Sequence, residues 1–376
     1  MKQPLIANFS QKDQSLVYEL LTTWADGRSV LWSIDGPLTH YWSAQTWPLY
    51  LITHKTSPNP CWIGLTLPWR KLSMRRRLAK FVNQYSLDGL ICLSWLDKLL
   101  LTGPARRLGL PVVWLELPED AKLSLPSWLL QYYHRQANKV KIITFGRHLV
   151  DHLHLQGQSL NNCHLLLPAI DPKLHLNQTN LFSNLALNKQ EQSDKPYFVI
   201  GAVVDLTITR PTEILLRSLK IVLSVIPSVQ LVIIGDGPKR KELQGLAREL
   251  DLANLAWFVG RQEPLDKWLY SLNGIIELET GESQAWQRLL QAMLVGLPII
   301  VPKSPLTADF LLPGETALVV ERAEPEMLAQ AVIQLQQDKL LAGRLAWRSK
   351  EWMNEFGLID RQLNDFVHYI SEIWDN

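Results

Sequence analysis

The sequence predicts an α/β protein that is built on open parallel sheets and divided into two domains. An apolar run, Leu231–Ile234, ends in the turn Gly235-Asp236-Gly237-Pro238 and leads into a charged helix. A second helix, from about Gln284 to Leu294, stops at Gly296 and leads into another apolar run, Leu297–Val301. The order strand, glycine turn, helix, strand is typical of an open parallel sheet. A length of 376 residues exceeds one comfortable hydrophobic core, so two domains are expected.

Bulk composition indicates a folded protein and excludes several classes. Hydrophobic residues make up 47% of the chain and charged residues 20%, which is typical of a folded domain rather than a disordered one. No apolar stretch approaches the ~20 residues that span a bilayer, and the first residues lack the apolar centre of a signal peptide. The three cysteines, Cys61, Cys92 and Cys163, follow no metal or redox spacing. We therefore expect a cytoplasmic protein.

The net charge of +2 hides an asymmetry between the two halves. Residues 1–190 hold 20 Lys and Arg against 11 Asp and Glu, whereas residues 191–376 hold 18 against 25. The basic first half can attract anionic lipid or an anionic acceptor. It can equally be drawn to its acidic neighbour within the chain, and the composition leaves both explanations open.

Short apolar runs alternate with helical patterns through the first half. The strands predicted there are Leu5–Asn8, Ser29–Ser33, Tyr50–Ile52, Trp62–Leu65, Gly89–Leu93, Val112–Leu117, Lys141–Thr144 and Cys163–Leu167. The predicted helices are Gln14–Ala25, Ser73–Gln84, Ser94–Leu108, Ser127–Ala137 and Gly146–Gln156. These elements assign residues 1–172 to the first domain.

A polar stretch rich in Asn, Gln and Ser marks the linker, residues 173–195. The second domain, residues 196–350, opens with a strand over Tyr197–Val204 and a helix over Thr212–Ile226. Residues 351–376 are predicted as terminal helices. An apolar face on the last of them is formed by Phe366, Tyr369, Ile370 and Trp374.

The order of several short motifs resembles a known family. The glycine turn at 235–238 is followed by Phe258-Val259-Gly260, by Ala292-Met293 with Gly296 and Pro298, and by a segment from Pro313 to Val320. From about Phe198 to Gln336 this looks like the donor-binding half of family 4 glycosyltransferases of the GT-B fold. A weaker similarity upstream, at residues 108–113 and 166–172, resembles the acceptor domain of the same family.

The resemblance implies a GT-B architecture and a nucleotide-sugar substrate. Two Rossmann-like domains would face each other across a cleft, and the C-terminal helix would cross back to the first domain. The implied reaction is the retaining transfer of a hexose from a nucleotide-diphosphate sugar to a glycan or lipid-linked acceptor, with no bound metal and no other cofactor. The setting would be cell envelope polysaccharide biosynthesis.

The two positions at which the family has cations for the donor diphosphate carry no cation in this sequence. Ala202 stands where the family has an Arg and Thr207 where it has a Lys, so that Arg210, a few positions later, is the candidate substitute. Gly235 and Gly237 would bring backbone N–H groups near the phosphates, although tight-turn geometry explains the same glycines. Lys303, after the Leu297–Val301 strand, is a further candidate cation.

The acidic pair of the family is also altered. An ungapped match places its two positions on Ser283 and Gln291. A shift of the match by one residue places Glu282 at the first position. Glu282 is the candidate sugar contact and catalytic residue, and Gln291 could hydrogen-bond the ribose. The alternative for Glu282 is a solvated carboxylate stabilised by a helix N-terminus.

Two further groups of candidates follow from the resemblance. The base would be held by the segment after Gly260, whose members are Arg261, Gln262, Glu263 and Lys267. In the first domain, Leu117 stands where the family has a catalytic His, and the neighbouring Glu116 is the candidate carboxylate there. A solvated loop is the alternative for both groups. The family's Gly-Gly pair after the first strand is replaced by the glycine-free residues 10–15.

The densest basic run of the chain suggests membrane contact. Along a helix through residues 69–81, Trp69 lies at the start, and Arg76, Arg77 and Lys80 lie opposite an apolar face. An aromatic residue beside cations suits a lipid headgroup region, so a peripheral position on the inner membrane face is expected. A solvated outer helix is the alternative. Nucleic acid is not expected, because the aromatic residues are not arranged to stack on bases.

Two functions other than sugar transfer are alternatives for this sequence. The altered donor positions fit a catalytically silent relative that acts as a binding or regulatory subunit. A nicotinamide-dependent enzyme is disfavoured, because the third glycine of its fingerprint would fall on Arg240.

Overall fold

The computed structural model describes the chain except for residues 1–2, 10–14, 26, 28, 52–59, 119, 121–124, 156–159, 176–196, 263 and 376. Two compact units emerge. The first comprises Met1–Pro168, Gly281–Gln284 and Ile359–Asn376, and the second comprises Ala169–Thr280 and Ala285–Leu358. Most of the predicted linker falls outside the described residues.

The first unit is built on a seven-stranded, wholly parallel sheet in the order β3-β2-β1-β4-β5-β6-β7. Its strands are β1 (Pro4–Asn8), β2 (Val30–Ser33), β3 (Leu49–Leu51), β4 (Gly89–Cys92), β5 (Val112–Glu116), β6 (Lys141–Thr144) and β7 (Cys163–Leu165). Its helices are α1 (Ser15–Ala25), α2 (Pro37–Ala44), α3 (Pro60–Tyr85), α4 (Trp95–Arg107), α5 (Ser127–Ala137) and α6 (Arg147–Leu155). The central strands are buried on both faces, as their continuous apolar sequences require.

The second unit contains a six-stranded parallel sheet in the order β10-β9-β8-β11-β12-β13. Its strands are β8 (Phe198–Val203), β9 (Val229–Ile234), β10 (Ala256–Gly260), β11 (Gly274–Ile276), β12 (Ile299–Pro302) and β13 (Leu318–Val320). Its helices are α7 (Pro172–His175), α8 (Arg210–Leu223), α9 (Arg240–Glu249), α10 (Asp266–Leu269), α11 (Ser283–Val295, whose first two residues fall in the first unit), α12 (Pro325–Gln337) and α13 (Lys339–Phe356). The predicted fold class, α/β with two Rossmann-like domains, is confirmed.

The last helix, α14 (Ile359–Asp375), belongs to the first unit, as predicted. Its Phe366 and Trp374 rings pack against Trp24 of α1 at centroid distances of 5.2 and 5.8 Å. Gln362 donates a 2.6 Å hydrogen bond to the carbonyl of Leu167. Aromatic packing and this buried bond hold the chain terminus on the first sheet's helical layer.

One predicted strand is wrong. Residues Trp62–Leu65, expected as a strand, lie in the first turns of α3, which runs through Pro68 into the basic segment. A run of four apolar residues fits a buried strand and a buried helix equally well, so the pattern alone could not decide. Among the described helices, none is long and apolar enough to cross a membrane.

Candidate functional site

The order in which strands are added to the sheet reverses between β8 and β11 in the second unit. The chain builds outward from β8 through β9 to β10 and then returns to the other side of β8 as β11. Open parallel sheets bind ligands outside the carboxyl ends of the strands at such a switch point. The residues that follow β8 and β11 are therefore the candidates for ligand binding.

After β8, the chain presents a helix N-terminus and a cation. Arg210 is the first residue of α8, is exposed, and makes no ion pair or hydrogen bond with another described residue. Thr209 at the N-cap makes no side-chain cap bond to the first-turn N–H groups. The Thr212 hydroxyl is fully buried and lacks a partner among the described residues. Uncapped N–H groups beside an Arg are suited to holding an anion.

The two family cation positions differ in their surroundings. Ala202 is 0% exposed within β8, so that no charged side chain would fit there without disrupting the sheet. Thr207 is exposed in the loop, where its backbone N–H donates to Asp205 at 2.9 Å. Of these positions, Arg210 alone brings a formal positive charge.

The glycine turn after β9 packs against the loop after β8. A Cβ atom on Gly235, whose φ is +147°, would lie 1.9 Å from the Val204 carbonyl oxygen, and one on Gly237 would lie 2.4 Å from the Leu206 carbonyl carbon. Lys239 N–H donates to the Leu206 oxygen at 3.0 Å. Close backbone approach therefore accounts for both glycines, and their contact with a donor stays a prediction.

Arg240 joins this turn to the neighbouring strand. Its guanidinium pairs with Asp236 at 2.9 Å and donates to the Phe258 carbonyl at 2.8 Å. Next to it, Gln262 donates to the Val259 carbonyl at 2.7 Å and accepts from the Trp268 indole at 3.1 Å. In the predicted base-binding segment, two hydrogen bonds thus hold the Gln262 side-chain amide in place. Arg261 is exposed, Lys267 is half-buried, and Glu263 lies outside the described residues.

After β11, a buried ion pair fixes the chain. Glu277, 1% exposed, pairs with Arg288 of α11 through bonds of 2.8 and 2.9 Å and accepts the Glu279 N–H at 3.2 Å. Burial raises the pKa of the Glu277 carboxyl, and the Arg288 guanidinium opposes that rise. Sequence reasoning missed both residues. Their one signal was a Glu directly after an apolar strand at the ligand-binding edge.

The predicted acidic-pair positions lie close to this ion pair along the chain: Glu282 and Ser283 lie between its two members, and Gln291 comes three residues after Arg288. Glu282 is exposed, Ser283 at the start of α11 is fully buried, and Gln291 is half-buried with partners of its own. Lys303 after β12 pairs with Glu321 at 3.0 Å, so its charge is already neutralised locally. The structure leaves Glu282 as the solvent-accessible carboxylate of this group, and its role stays a prediction.

Glu116 in the first unit is deeply buried rather than solvent-facing. It is 3% exposed at the end of β5, where Lys98 lies 3.1 Å away and the Tyr133 hydroxyl donates at 2.6 Å. Asp120 accepts from the same Lys98 at 2.9 Å. Burial raises the pKa of Glu116 to about 7, with Lys98 lowering it and Asp120 raising it. Although burial opposes it, the Asp120 and Glu116 carboxylates hold the pKa of Lys98 above its ordinary value.

Asp97 bridges the first unit's own switch point, between β1 and β4. Its carboxylate accepts N–H groups from Phe9 after β1 and from Leu93 and Ser94 after β4, at 2.8 to 3.3 Å. Burial raises the pKa of Asp97 to about 7, against the pull of Lys98 and of these backbone donors. The signal that could have found it is the spacing of Ser94 and Asp97, which form a capping box at the start of α4.

Comparison with known proteins matches most of the second sheet and its helices to a family model. Residues 198–338 match the family model described as "Glycosyl transferases group 1". The lipopolysaccharide core biosynthesis glycosyltransferase LpsE of Rhizobium meliloti is 28% identical over 126 residues, which are 34% of this chain and 37% of LpsE. The Vi polysaccharide biosynthesis protein VipC/TviE of Salmonella typhi is 29% identical over 105 residues, 28% of this chain and 18% of that protein.

Similarity to solved structures extends over the whole chain. The crystal structure of Anabaena HepE in complex with UDP has a TM-score of 0.80 and 15% identity, and the match covers 99% of this chain and 100% of that one. The UDP-glucose complex of the same protein gives a TM-score of 0.78. The fold is GT-B. At such identity the likeness shows the fold alone, and this chain spans less than half of LpsE and of VipC/TviE.

Proposed function

We propose that this protein is a retaining glycosyltransferase of the family 4 type that moves a hexose from a nucleotide-diphosphate sugar to a glycan or glycolipid acceptor. One observation carries the proposal. The family match over residues 198–338 covers the sheet whose switch point opens onto the uncapped N-terminus of α8 and Arg210. Because HepE was solved with UDP and with UDP-glucose, we propose a uridine nucleotide as the donor's leaving group.

The proposed mechanism is electrostatic. Breaking the bond between the sugar and the diphosphate leaves negative charge on the phosphate oxygens, which the α8 N–H groups and Arg210 would stabilise. In the resembling family the departing diphosphate takes the acceptor proton itself, so that the acceptor oxygen bonds to the sugar carbon without a separate general base. We propose no bound metal. Glu282 would contact the sugar and Gln291 the ribose, while residues 261–263 and Lys267 would hold the base.

Substitution of Arg210 should weaken nucleotide binding. Removing one charge-assisted contact to the diphosphate corresponds to a loss of about 10- to 150-fold in affinity. We expect Arg210→Ala to raise the Kd for UDP by this factor in isothermal titration calorimetry. Arg217→Ala is the matched control, because Arg217 is exposed on the same helix and has no ion pair with a described residue. Equal UDP affinity in the two variants would remove Arg210 from the site.

Substitution of Glu282 should affect turnover more than UDP binding, since its proposed contact is with the sugar. For Glu282→Gln we expect kcat/KM for the sugar donor to fall about tenfold or more, with the Kd for free UDP unchanged. Glu249→Gln, an exposed carboxylate at the end of α9, is the control. A variant with unchanged kcat/KM would leave Glu282 as a solvated residue at a helix N-terminus.

The buried position of Ala202 also favours a second candidate, a binding or regulatory subunit without turnover. The family Arg has no room there, and Arg210 lies on a helix rather than in the loop. This candidate predicts UDP binding that depends on Arg210 with no transfer of sugar from any common donor to lipid-linked acceptors. Release of UDP coupled to an acceptor would exclude it.

A further inference from the structure

The helix α3 carries an unusual distribution of charge. Its 26 residues, Pro60–Tyr85, include six Lys and Arg between positions 70 and 80 and no Asp or Glu. None of these six cations forms an ion pair with a carboxylate among the described residues. Neighbouring like charges on one helix repel each other, so an uncompensated run of this kind needs a reason beyond stability.

The helix is amphipathic in an orientation that turns this charge outward. Leu78 is 0% exposed and packs in the core of the first unit, with Met74, Phe81 and Val82 against the same cluster. Counting from Trp69, the spacings to Leu72, Arg76 and Lys80 are 3, 7 and 11 residues, which places these four on one stripe opposite Leu78. Arg77 lies beside the stripe and is exposed.

The outward stripe is apolar at one end. Trp69 is 77% exposed and Leu72 46% exposed, and both precede the cations Arg76 and Lys80 along the helix. On α5, Trp128 is 51% exposed, one turn before Tyr132, whose ring lies 4.0 Å from the Lys71 ammonium. Exposure of large apolar side chains to water is unfavourable, whereas an indole is stabilised at the level of lipid headgroups.

A second group of cations crowds the inner side of the same region. Burial, together with the charges of Arg107 and Lys139, lowers the pKa of Lys71 to about 8. Three positive charges from α3, the end of α4 and the residue after Asn138 thus act on one another. An anionic group bound among them would relieve this repulsion.

We propose that the α3 stripe of Trp69, Leu72, Arg76 and Lys80, with Arg77 beside it, docks the protein on an anionic phospholipid bilayer. The cations would lie at the phosphate level, and Trp69 and Leu72 would insert at the boundary of the acyl chains. A soluble polyanion would satisfy the cations but offers nothing to the exposed indole and leucine. This surface is independent of the nucleotide site and goes beyond the proposed reaction.

Vesicle flotation of the full chain tests the proposal. We expect the protein to float with vesicles of phosphatidylcholine and phosphatidylglycerol and to stay unbound with phosphatidylcholine alone. Each cation near an anionic surface is worth about fivefold in partitioning, so the triple substitution Arg76→Gln, Arg77→Gln, Lys80→Gln should lower the partition coefficient about 100-fold. Trp69→Ala should also lower it, without changing net charge.

A matched triple variant controls for total charge. Arg217→Gln, Lys241→Gln, Arg344→Gln removes three exposed cations of the second unit and should leave flotation unchanged. Unaltered urea denaturation curves of both triple variants would show that they are folded. The proposal is overturned by equal loss in the two triples, by equal binding to phosphatidylcholine alone, or by a Trp69→Ala variant that floats like wild type while single-stranded RNA displaces the protein from vesicles.

Discussion

Lys98→Met should destabilise the first unit by about 3–5 kcal/mol, because it leaves Glu116 and Asp120 as buried carboxylates without their cation. Lys98 is 0% exposed and lies within 3.1 Å of both. Urea denaturation followed by tryptophan fluorescence measures the effect. Trp114 of the same cluster donates to Thr102 and makes the transition of this unit visible.

The loss of stability caused by Lys98→Met should depend on pH. Burial raises the pKa of Glu116 in the folded protein to about 7, so that its protonated form is favoured by folding. Stability from that group is fully present below the unfolded pKa of about 4.5 and is lost as pH rises through the folded pKa. Without Lys98 the folded pKa rises further, which makes the variant's deficit larger at about pH 8.5 than at about pH 6. A deficit independent of pH would contradict this explanation.

The surface offers a control for Lys98. Lys220 pairs with Asp251 at 3.3 Å, and the two side chains are 45% and 87% exposed. Lys220→Met should therefore cost less than about 1 kcal/mol. If Lys220→Met and Lys98→Met lower the free energy of unfolding equally, burial does not explain the contribution of Lys98 to stability.

Arg288→Met should destabilise the second unit by about 3–5 kcal/mol, since Glu277 is 1% exposed and would lose its counter-charge. The same carboxylate accepts the Glu279 N–H, so a shift of Glu277 without Arg288 would also move the backbone that leads to Glu282. We expect urea denaturation to show the loss of stability. Turnover of the sugar donor by Arg288→Met should also fall in buffer without urea, where the variant is folded.

Arg348 provides the comparison for Arg288. It forms a 2.8 Å pair with Glu351 one turn along α13, with about half of each side chain exposed. Arg348→Met should change stability by less than about 1 kcal/mol and leave turnover unchanged. If Arg288→Met keeps wild-type turnover once folded, the ion pair serves the fold alone.

Much of the fold could be predicted from the sequence because its periodic signals are local. The helix ending at Gly296 and the strand after it, or α4 after Ser94, follow from caps and apolar spacing along a continuous stretch. The helix α3 was only half predicted. Its first turns, Trp62–Leu65, are apolar enough for a strand, and the predicted helix began only at Ser73, whereas the helix begins at Pro60.

The candidate site was less accessible to sequence reasoning, because its decisive contacts are long-range. Glu116 was predicted as a carboxylate near substrate, yet Lys98, which neutralises it, comes from an earlier helix and from a position that reads as an ordinary basic residue. Glu277 and Arg288 meet only when β11 and α11 pack together. Arg210, in contrast, could be proposed from the sequence because the family motif indicates where a cation is expected, and its role stays a prediction.

Asp97 gives the first domain an internal counterpart of a bound anion. Its carboxylate already occupies the amides of Phe9, Leu93 and Ser94, so those three donors are not offered to an incoming phosphate. The two halves of that sheet are consequently tied together before any substrate arrives. The strand ends at this switch point are therefore held in place by a side chain of the chain itself, without the need for a ligand.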